Sequence, residues 1–317
     1  MRFTFVILLF CCFGADAQMI IKAHANYRPY AVAVAQNLLL DDYPNAKYVF
    51  SFRKLRTAYS GKCVRIRKDT TGQPEQDINF IGNELDTASL KMFLNARSGF
   101  VTTWYDQSGN SRNATMTVQA NQPRIANLGV IERRQGKVSI FFDGSNDYLL
   151  NTNIGYPVNL TQHYAVSSRG ASVASTQTVY STGILSGLNN GFGFAYRANN
   201  VATPNTLLQQ ARNLNTTVIT IAAYANTINV SNMIFGVTSA TSDSAYFNGS
   251  DLQTAAHTRA NINNNSFLMI GARADGVGDI PGIYLNGTVS EIIRWTTANA
   301  PNRNEIFTNV NSYYSIW

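Results

Sequence analysis

The side chains that could do chemistry are few and scattered. Asp143-Gly144-Ser145-Asn146-Asp147 offers oxygen atoms of the kind calcium takes, but it lacks the full calcium-loop pattern; a plain turn is the simpler reading, and no cofactor is indicated. His24, His163 and His257 lie far apart and lack metal-ligand spacing, so no metal site is expected. No serine elbow, phosphate loop or zinc signature is present. Cys63 sits in a strand-like run and reads as a small apolar packing residue, since a nucleophilic thiol needs a histidine or cation beside it. Between Glu132 and Glu291 there is no glutamate, so aspartates such as Asp243 and Asp251 are the carboxylates that stretch can offer. Trp104, Tyr105, Tyr196 and Trp295 have rings that could stack on sugars, although apolar neighbours make core or sheet positions simpler for each.

Positioning these residues falls to short strands. Runs rich in β-branched and aromatic residues occur at Tyr48 to Phe52, Cys63 to Arg67, Val101 to Tyr105, Val138 to Phe142, Phe192 to Arg197 and Val218 to Ala222. They continue at Met233 to Val237, Ala245 to Phe247, Phe267 to Ile270, Ile283 to Leu285 and Val289 to Trp295. Asn248-Gly249 and Asn286-Gly287 read as hairpin turns. Asp86 caps a helix reaching Ala96, and Pro301 opens a C-terminal helix whose Ile306, Phe307, Val310, Tyr314 and Trp317 should face the sheet. Many short strands with Gly and Asn turns predict an all-β, antiparallel β-sandwich carrying a short internal helix and a C-terminal helix.

Composition places the chain in a compartment. Residues 1–17 read as a secretory signal peptide: Arg2, an apolar Phe3 to Phe13, and Ala15-Asp16-Ala17 as a small-x-small cleavage site. Residues 18–47 form an N-terminal lead-in with a mildly helical Tyr30 to Leu40, and 48–317 form a single domain. The expected product is secreted, and no later stretch approaches the roughly 20 apolar residues a spanning helix needs. With Cys11 and Cys12 in the signal, Cys63 has no intrachain partner, so burial must supply stability; hydrophobic content of 45% suffices. Net charge is +7, with basic clusters at Arg53-Lys54-Leu55-Arg56, Arg65-Ile66-Arg67-Lys68 and Arg133-Arg134. At strand spacing Arg65 and Arg67 share one solvated face, so a nucleic-acid partner is not expected, whereas acidic polysaccharide is compatible.

The run Trp104-Tyr105-Asp106-Gln107-Ser108-Gly109-Asn110 is the most specific in the chain. It resembles a signature of the α-L-arabinofuranosidase B catalytic domain (glycoside hydrolase family 54) and of related jelly-roll domains. Ala58-Tyr59-Ser60-Gly61, Arg65-Ile66-Arg67 and Phe142-Asp143-Gly144 extend the likeness over about Tyr48 to Tyr148. Gly282 to Val289 and Glu291-Ile292-Ile293 are similar to the closing strands of laminin-G-like, concanavalin A-like jelly rolls, where Glu291 would be structural at a sheet edge. The resemblance implies an acid/base aspartate a few residues after an Ile-Gly strand end, matched by Asp275 in Ile270-Gly271-Ala272-Arg273-Ala274-Asp275. It also implies a nucleophilic glutamate before two asparagines, but the matching segment is Ala198-Asn199-Asn200. An alanine cannot attack an anomeric carbon, so double displacement is expected to be lost and glycan binding by Asp275, Asn199, Asn200 and Tyr196 to remain. An active arabinofuranosidase using Asp275, or a structural or adhesive surface protein, are the alternative readings.

Overall fold

The computed structural model describes residues 37–153, 161–170, 176–183, 191–196, 206–212, 218–225, 227–239, 241–249, 251–256, 267–273, 281–296 and 302–317. Among them the principal strands are β1 (Ala46–Ser51), β2 (Val64–Lys68), β3 (Glu75–Ile78), β4 (Gly99–Trp104), β5 (Ala114–Thr115), β6 (Arg124–Asn127), β7 (Ile140–Asp143), β8 (Leu149–Asn151) and β9 (Thr161–Arg169). They continue with β10 (Gln177–Gly183), β11 (Gly191–Tyr196), β12 (Thr206–Arg212), β13 (Val218–Ala225), β14 (Asn232–Thr238), β15 (Ser242–Phe247), β16 (Asp251–Ala256), β17 (Leu268–Ile270) and β18 (Asn286–Trp295). The helices are α1 (Leu39–Asp42), α2 (Thr87–Leu94) and α3 (Arg303–Tyr314). No helix among the described residues is long and apolar enough to cross a membrane.

Every ladder is antiparallel. One sheet runs β1-β18-β9-β14-β15-β16. The other runs β3-β2-β4-β5-β8-β17-β10-β11-β12-β13. Strands β6 and β7 join them, β6 pairing with β4 and β7, and β7 with β18. The chain is an antiparallel β-sandwich of the jelly-roll type, as the strand and turn pattern predicts.

Alternation sorts the side chains into two apolar layers. Tyr48, Phe50, Ile234, Phe247 and Ile292 from the first sheet meet Val64, Trp104, Leu149, Phe194, Leu207 and Ile270 from the second. Trp104 stacks on Phe52 with ring centroids 4.9 Å apart. The opposite face of the first sheet, with Val49, Tyr164, Phe235, Ile293 and Trp295, is covered by Ile306, Phe307, Val310 and Tyr314 of α3. These four recur at helical spacing, which is why a helix of otherwise polar composition docks there. Asp86 caps α2 as expected, its carboxylate accepting from Ser89 N at 2.9 Å.

Four sequence expectations change. Asn286-Gly287 is no hairpin turn but the start of β18, where Gly287 pairs with both Phe142 and Arg169. A Cβ on Gly287 would lie 2.1 Å from the Ser168 carbonyl oxygen, so glycine is there for close backbone approach. Asn248-Gly249, by contrast, does turn β15 into β16, with φ of 44° and 83°. Glu291 lies not at a sheet edge but on the strand between β1 and β9. Arg67 leaves the solvated face: it is buried, stacked 4.7 Å over the Phe100 ring and donating to Gln122 Oε1 at 2.5 Å. Strands β9, β10, β12 and β16 escape an apolar reading because they are polar. In β9 the polar side chains find internal partners, Ser167 with Tyr196 and Ser168 with Thr288.

Glu291 is fully buried beneath α3 and receives the Arg53 guanidinium at both oxygens, each at 2.8 Å. Ser51, Tyr164 and Tyr314 donate to the same carboxylate. Burial alone would raise this carboxyl, but the Arg53 charge and the converging hydrogen bonds outweigh it and hold it below the ordinary glutamate value. Glu291→Ala strands a buried guanidinium and should cost about 3–5 kcal/mol in urea unfolding near neutral pH. Because the folded carboxyl titrates low, its contribution is full above the ordinary value of 4.5 and is lost as pH falls through the depressed folded value. Wild-type melting temperature should therefore fall in that acid range more steeply than that of Glu291→Gln.

Candidate functional site

The motif residues bind backbone. Asp106 Oδ1 accepts from Val49 N at 2.8 Å and Ser108 N at 2.9 Å, while Oδ2 accepts from Ser108 Oγ and Arg112 N. Gln107 is fully buried: its Nε2 donates to the carbonyls of Ser51 and Arg53, and its Oε1 accepts from Leu55 N. Asn110 Nδ2 reaches the carbonyls of Ala46 and Lys47. With every one of these groups engaged, the motif stitches β1 and its exit to the β4 corner. Cys63 is buried with its thiol pushed well up by burial, which removes it as a nucleophile. His163 is buried against Tyr180 and stacked on Phe194; burial, then the Arg294 charge, keep its imidazole neutral. Among the described residues no group of His, Cys, Asp and Glu could hold a metal ion.

Strand topology gathers one end of the second sheet. β10 pairs antiparallel with both β11 and β17, with Gln177 opposite Tyr196 and Tyr180 opposite Ile270. β11 and β17 therefore run the same way and leave the sheet at the same end, separated by two strand spacings, roughly 10 Å. β8 runs against β17, with Leu149 opposite Ile270, so Asp147 and Tyr148 enter at that end too. Gly271 there has φ of 83°, and a Cβ would meet the Phe142 ring at 2.1 Å, so glycine alone fits the strand exit. Arg273 N donates to Ile283 O, and Gly282 N returns to Arg273 O, tying the exit to the segment before β18.

Of the residues expected to form a site, Tyr196 is fully buried and its hydroxyl lies 2.9 Å from Ser167 Oγ. Asp275, Asn199, Asn200 and Ala198 lie outside the described residues, as do His24, His257 and Pro301. Trp104 and Trp295 are buried, while Tyr105 donates to Asp77 Oδ1 at 2.8 Å.

Two features of this end, an aromatic patch and a groove, were not marked by sequence reasoning, and a third, Asp147, was read only as part of a plain turn. Tyr148, Leu150 and Tyr284 are partly buried and pack on Phe267, Met269 and Ala272, giving the outer face an apolar, aromatic patch. A groove of about 290 Å³ adjoins it, lined by Tyr148, Leu150, Asn113, Thr115, Asn151 and Asn153 among others. Asp147 accepts from Asp143 N at 3.0 Å and is buried. Burial, then the Asp143 carboxylate, push its carboxyl up to about 7, against the opposing Asp143 N–H and Arg124 charge. Its signal was the Asp143 to Asp147 spacing, which says turn but not that the second carboxyl is buried.

No protein-family profile matches the chain, nor does any curated protein. Solved structures do. An arabinofuranosidase complexed with arabinofuranosyl-alpha-1,2-xylobiose is 13% identical, over 84% of this chain and 62% of that one, with a TM-score of 0.59. A GH54 α-L-arabinofuranosidase soaked with a cyclic sulfate inhibitor is 12% identical over the same shares, with a TM-score of 0.60. A mutant GH54 enzyme soaked with 4-nitrophenyl α-L-arabinofuranoside reaches 0.62 at 13% identity. The chain thus spans less than two thirds of the length of these chains.

Asp147 yields a pH test. Between its ordinary 3.8 and about 7 the folded protein holds a proton that the unfolded chain releases, so this group makes stability fall as pH rises through that window. Asp147→Asn keeps an acceptor for Asp143 N and should raise the melting temperature above about pH 7, with the gain vanishing below about pH 4. Melting curves across that range read it directly. The strand order, the two-sheet core and the likeness to these structures agree, and the chain has the fold of the family 54 arabinofuranosidase structures.

Proposed function

We propose that the protein is a secreted carbohydrate-interacting β-sandwich that binds glycan with little or no hydrolysis, its residues 1–17 serving as a cleaved signal peptide. The observation that carries this reading is the convergence of the β11 and β17 exits on either side of β10. These are the strands that lead into Asn199-Asn200 and Asp275, and the Tyr148 and Tyr284 patch lies at the same sheet end. Half-buried tyrosines beside amide side chains suit a sugar, whose ring has apolar faces and a polar rim. The solved structures sharing the fold are named as arabinofuranosidases, which makes arabinose-containing polysaccharide the first ligand to try.

Hydrolysis is set aside on chemical grounds. Both glycosidase mechanisms need two carboxyl groups across the scissile bond, and the segment expected to supply one carries Ala198. Asp275 alone can position a glycosidic oxygen but cannot complete a double displacement.

The test pairs retention with turnover. On a panel of arabinose-containing polysaccharides the protein should be retained and release no sugar beyond background. Tyr148→Ala, Tyr284→Ala and Asp275→Asn should each weaken retention, by roughly tenfold for a lost stacking ring, about 1.4 kcal/mol. Rapid sugar release abolished by Asp275→Asn would overturn the non-catalytic reading. Absence of binding to every glycan tried would overturn the sugar reading itself and favour a structural or adhesive protein.

A further inference from the structure

A separate basin opens on the other side of the motif. It has a volume of about 360 Å³, within the range of small-ligand sites, about 300–1,000 Å³, and its wall includes Asn45, Lys47, Arg56, Ser108 and Asn110. Its floor is built around a β-bulge: Ala46 pairs with Trp295 and Tyr48 with Arg294, leaving Lys47 as the extra residue in β1. Bulges re-aim side chains, and this one is held from behind. The Lys47 carbonyl accepts from Asn110 Nδ2 at 3.1 Å, Arg112 Nη1 at 3.2 Å and Ser108 Oγ at 3.4 Å. The preceding Asn45 has φ of 67°, so the chain turns sharply into the bulge.

Among the described residues the basin's lining carries two cations, Lys47 and Arg56, and no carboxylate. Among the described residues Lys47, Arg56 and Arg112 enter no ion pair. Asp41 accepts hydrogen bonds from Thr57 and Leu38 N and forms no ion pair with Arg56, although against burial these bonds and then the Arg56 charge hold its carboxyl below the ordinary aspartate value. Asp106 accepts from the backbone of Val49, Ser108 and Arg112 and forms no ion pair with these cations. Burial, then the charges of Arg112 and Arg294, lower the Lys47 ammonium below its usual value, the mark of a cation lacking a counter-charge. Among the described residues no aromatic side chain lines the basin, which gives a nucleobase no stacking surface there, whereas amides and hydroxyls surround the cations.

We propose that this basin is an oxyanion subsite that takes the carboxylate or sulfate of an acidic glycan, with Lys47 and Arg56 as its charged contacts. It is distinct from the Tyr148 and Tyr284 patch and does not depend on that patch binding sugar.

The full mature chain is titrated, at low salt, with polygalacturonate as the uronate probe, dextran sulfate as the sulfate probe, neutral arabinan and single-stranded DNA. The expected result is saturable binding to one or both acidic glycans that weakens at least tenfold in Lys47→Ala/Arg56→Ala. The charge-matched control Lys91→Ala/Arg97→Ala, which alters two exposed residues elsewhere, should change affinity less than twofold. Arabinan retention should be the same in all three proteins, so failure here and failure of the neutral-glycan reading are separable. Preference for polygalacturonate identifies a carboxylate ligand and preference for dextran sulfate a sulfate ligand. Equal losses in both double variants, DNA binding tighter than either glycan, or no acidic-glycan binding by the folded wild type would each overturn the proposal. A Lys47→Gln/Arg56→Gln variant of unchanged melting temperature replaces the alanine pair should that pair unfold.

Discussion

A carboxylate buried under a helix is the constraint around which this sandwich is arranged. Glu291 is fully buried, so the protein must supply its donors, and they come from three separate parts of the chain. Arg53 follows β1, Tyr164 sits on β9 and Tyr314 on α3, so satisfying one charge fixes two strands and a helix together. A bulge in β18 opposite Val166 and Ser167 turns Glu291 toward the helix rather than into the space between the sheets. Arg53 in turn lies across the rings of Tyr313 and Tyr314 and donates to Asn309, so the cation clamps α3 as the anion clamps the sheet.

The sequence motif belongs to the same construction. Gln107 holds the carbonyls on both sides of Phe52 and the amide of Leu55, which sets the path of the residues carrying Ser51 and Arg53. Asp106 and Asn110 anchor the other end of β1. A buried amide making three backbone hydrogen bonds has no neutral replacement: a shorter or apolar side chain leaves strand groups unpaired, at about 1–3 kcal/mol each. The motif therefore marks the fold through the geometry it enforces, with the Asp106 carboxylate and the Gln107 amide taken up by backbone groups.

How far the sequence could be read follows from what each element buries. Strands such as Tyr48 to Phe52 and Met233 to Val237 were legible because apolar residues alternate against two packed layers. Thr161 to Arg169 was not, because its polar side chains are buried, Ser167 and Ser168 against the hydroxyls of Tyr196 and Thr288, which only the fold brings to them. Asn286-Gly287 carried a turn signature, yet its glycine serves a crowded strand crossing instead. Glu291 read as an edge residue since sequence gives alternation but not which strands lie on either side. For the candidate site, the strand end at Ile270-Gly271 was legible. The aromatic patch was not, because Tyr148 and Tyr284 lie far apart in sequence and meet only across β8 and β17.

The fold thus separates what holds the sandwich from the face proposed to meet a ligand. The helix-covered sheet is closed by its ion pair, while the second sheet keeps an aromatic outer face beside the exits of β11 and β17. The most direct test is the crystal structure of the protein soaked with a linear arabino-oligosaccharide. Sugar density against Tyr148 and Tyr284, within reach of Asp275, with an intact glycosidic bond, is the predicted result. Sugar bound elsewhere, or a cleaved product held between Asp275 and a second carboxylate, would contradict it.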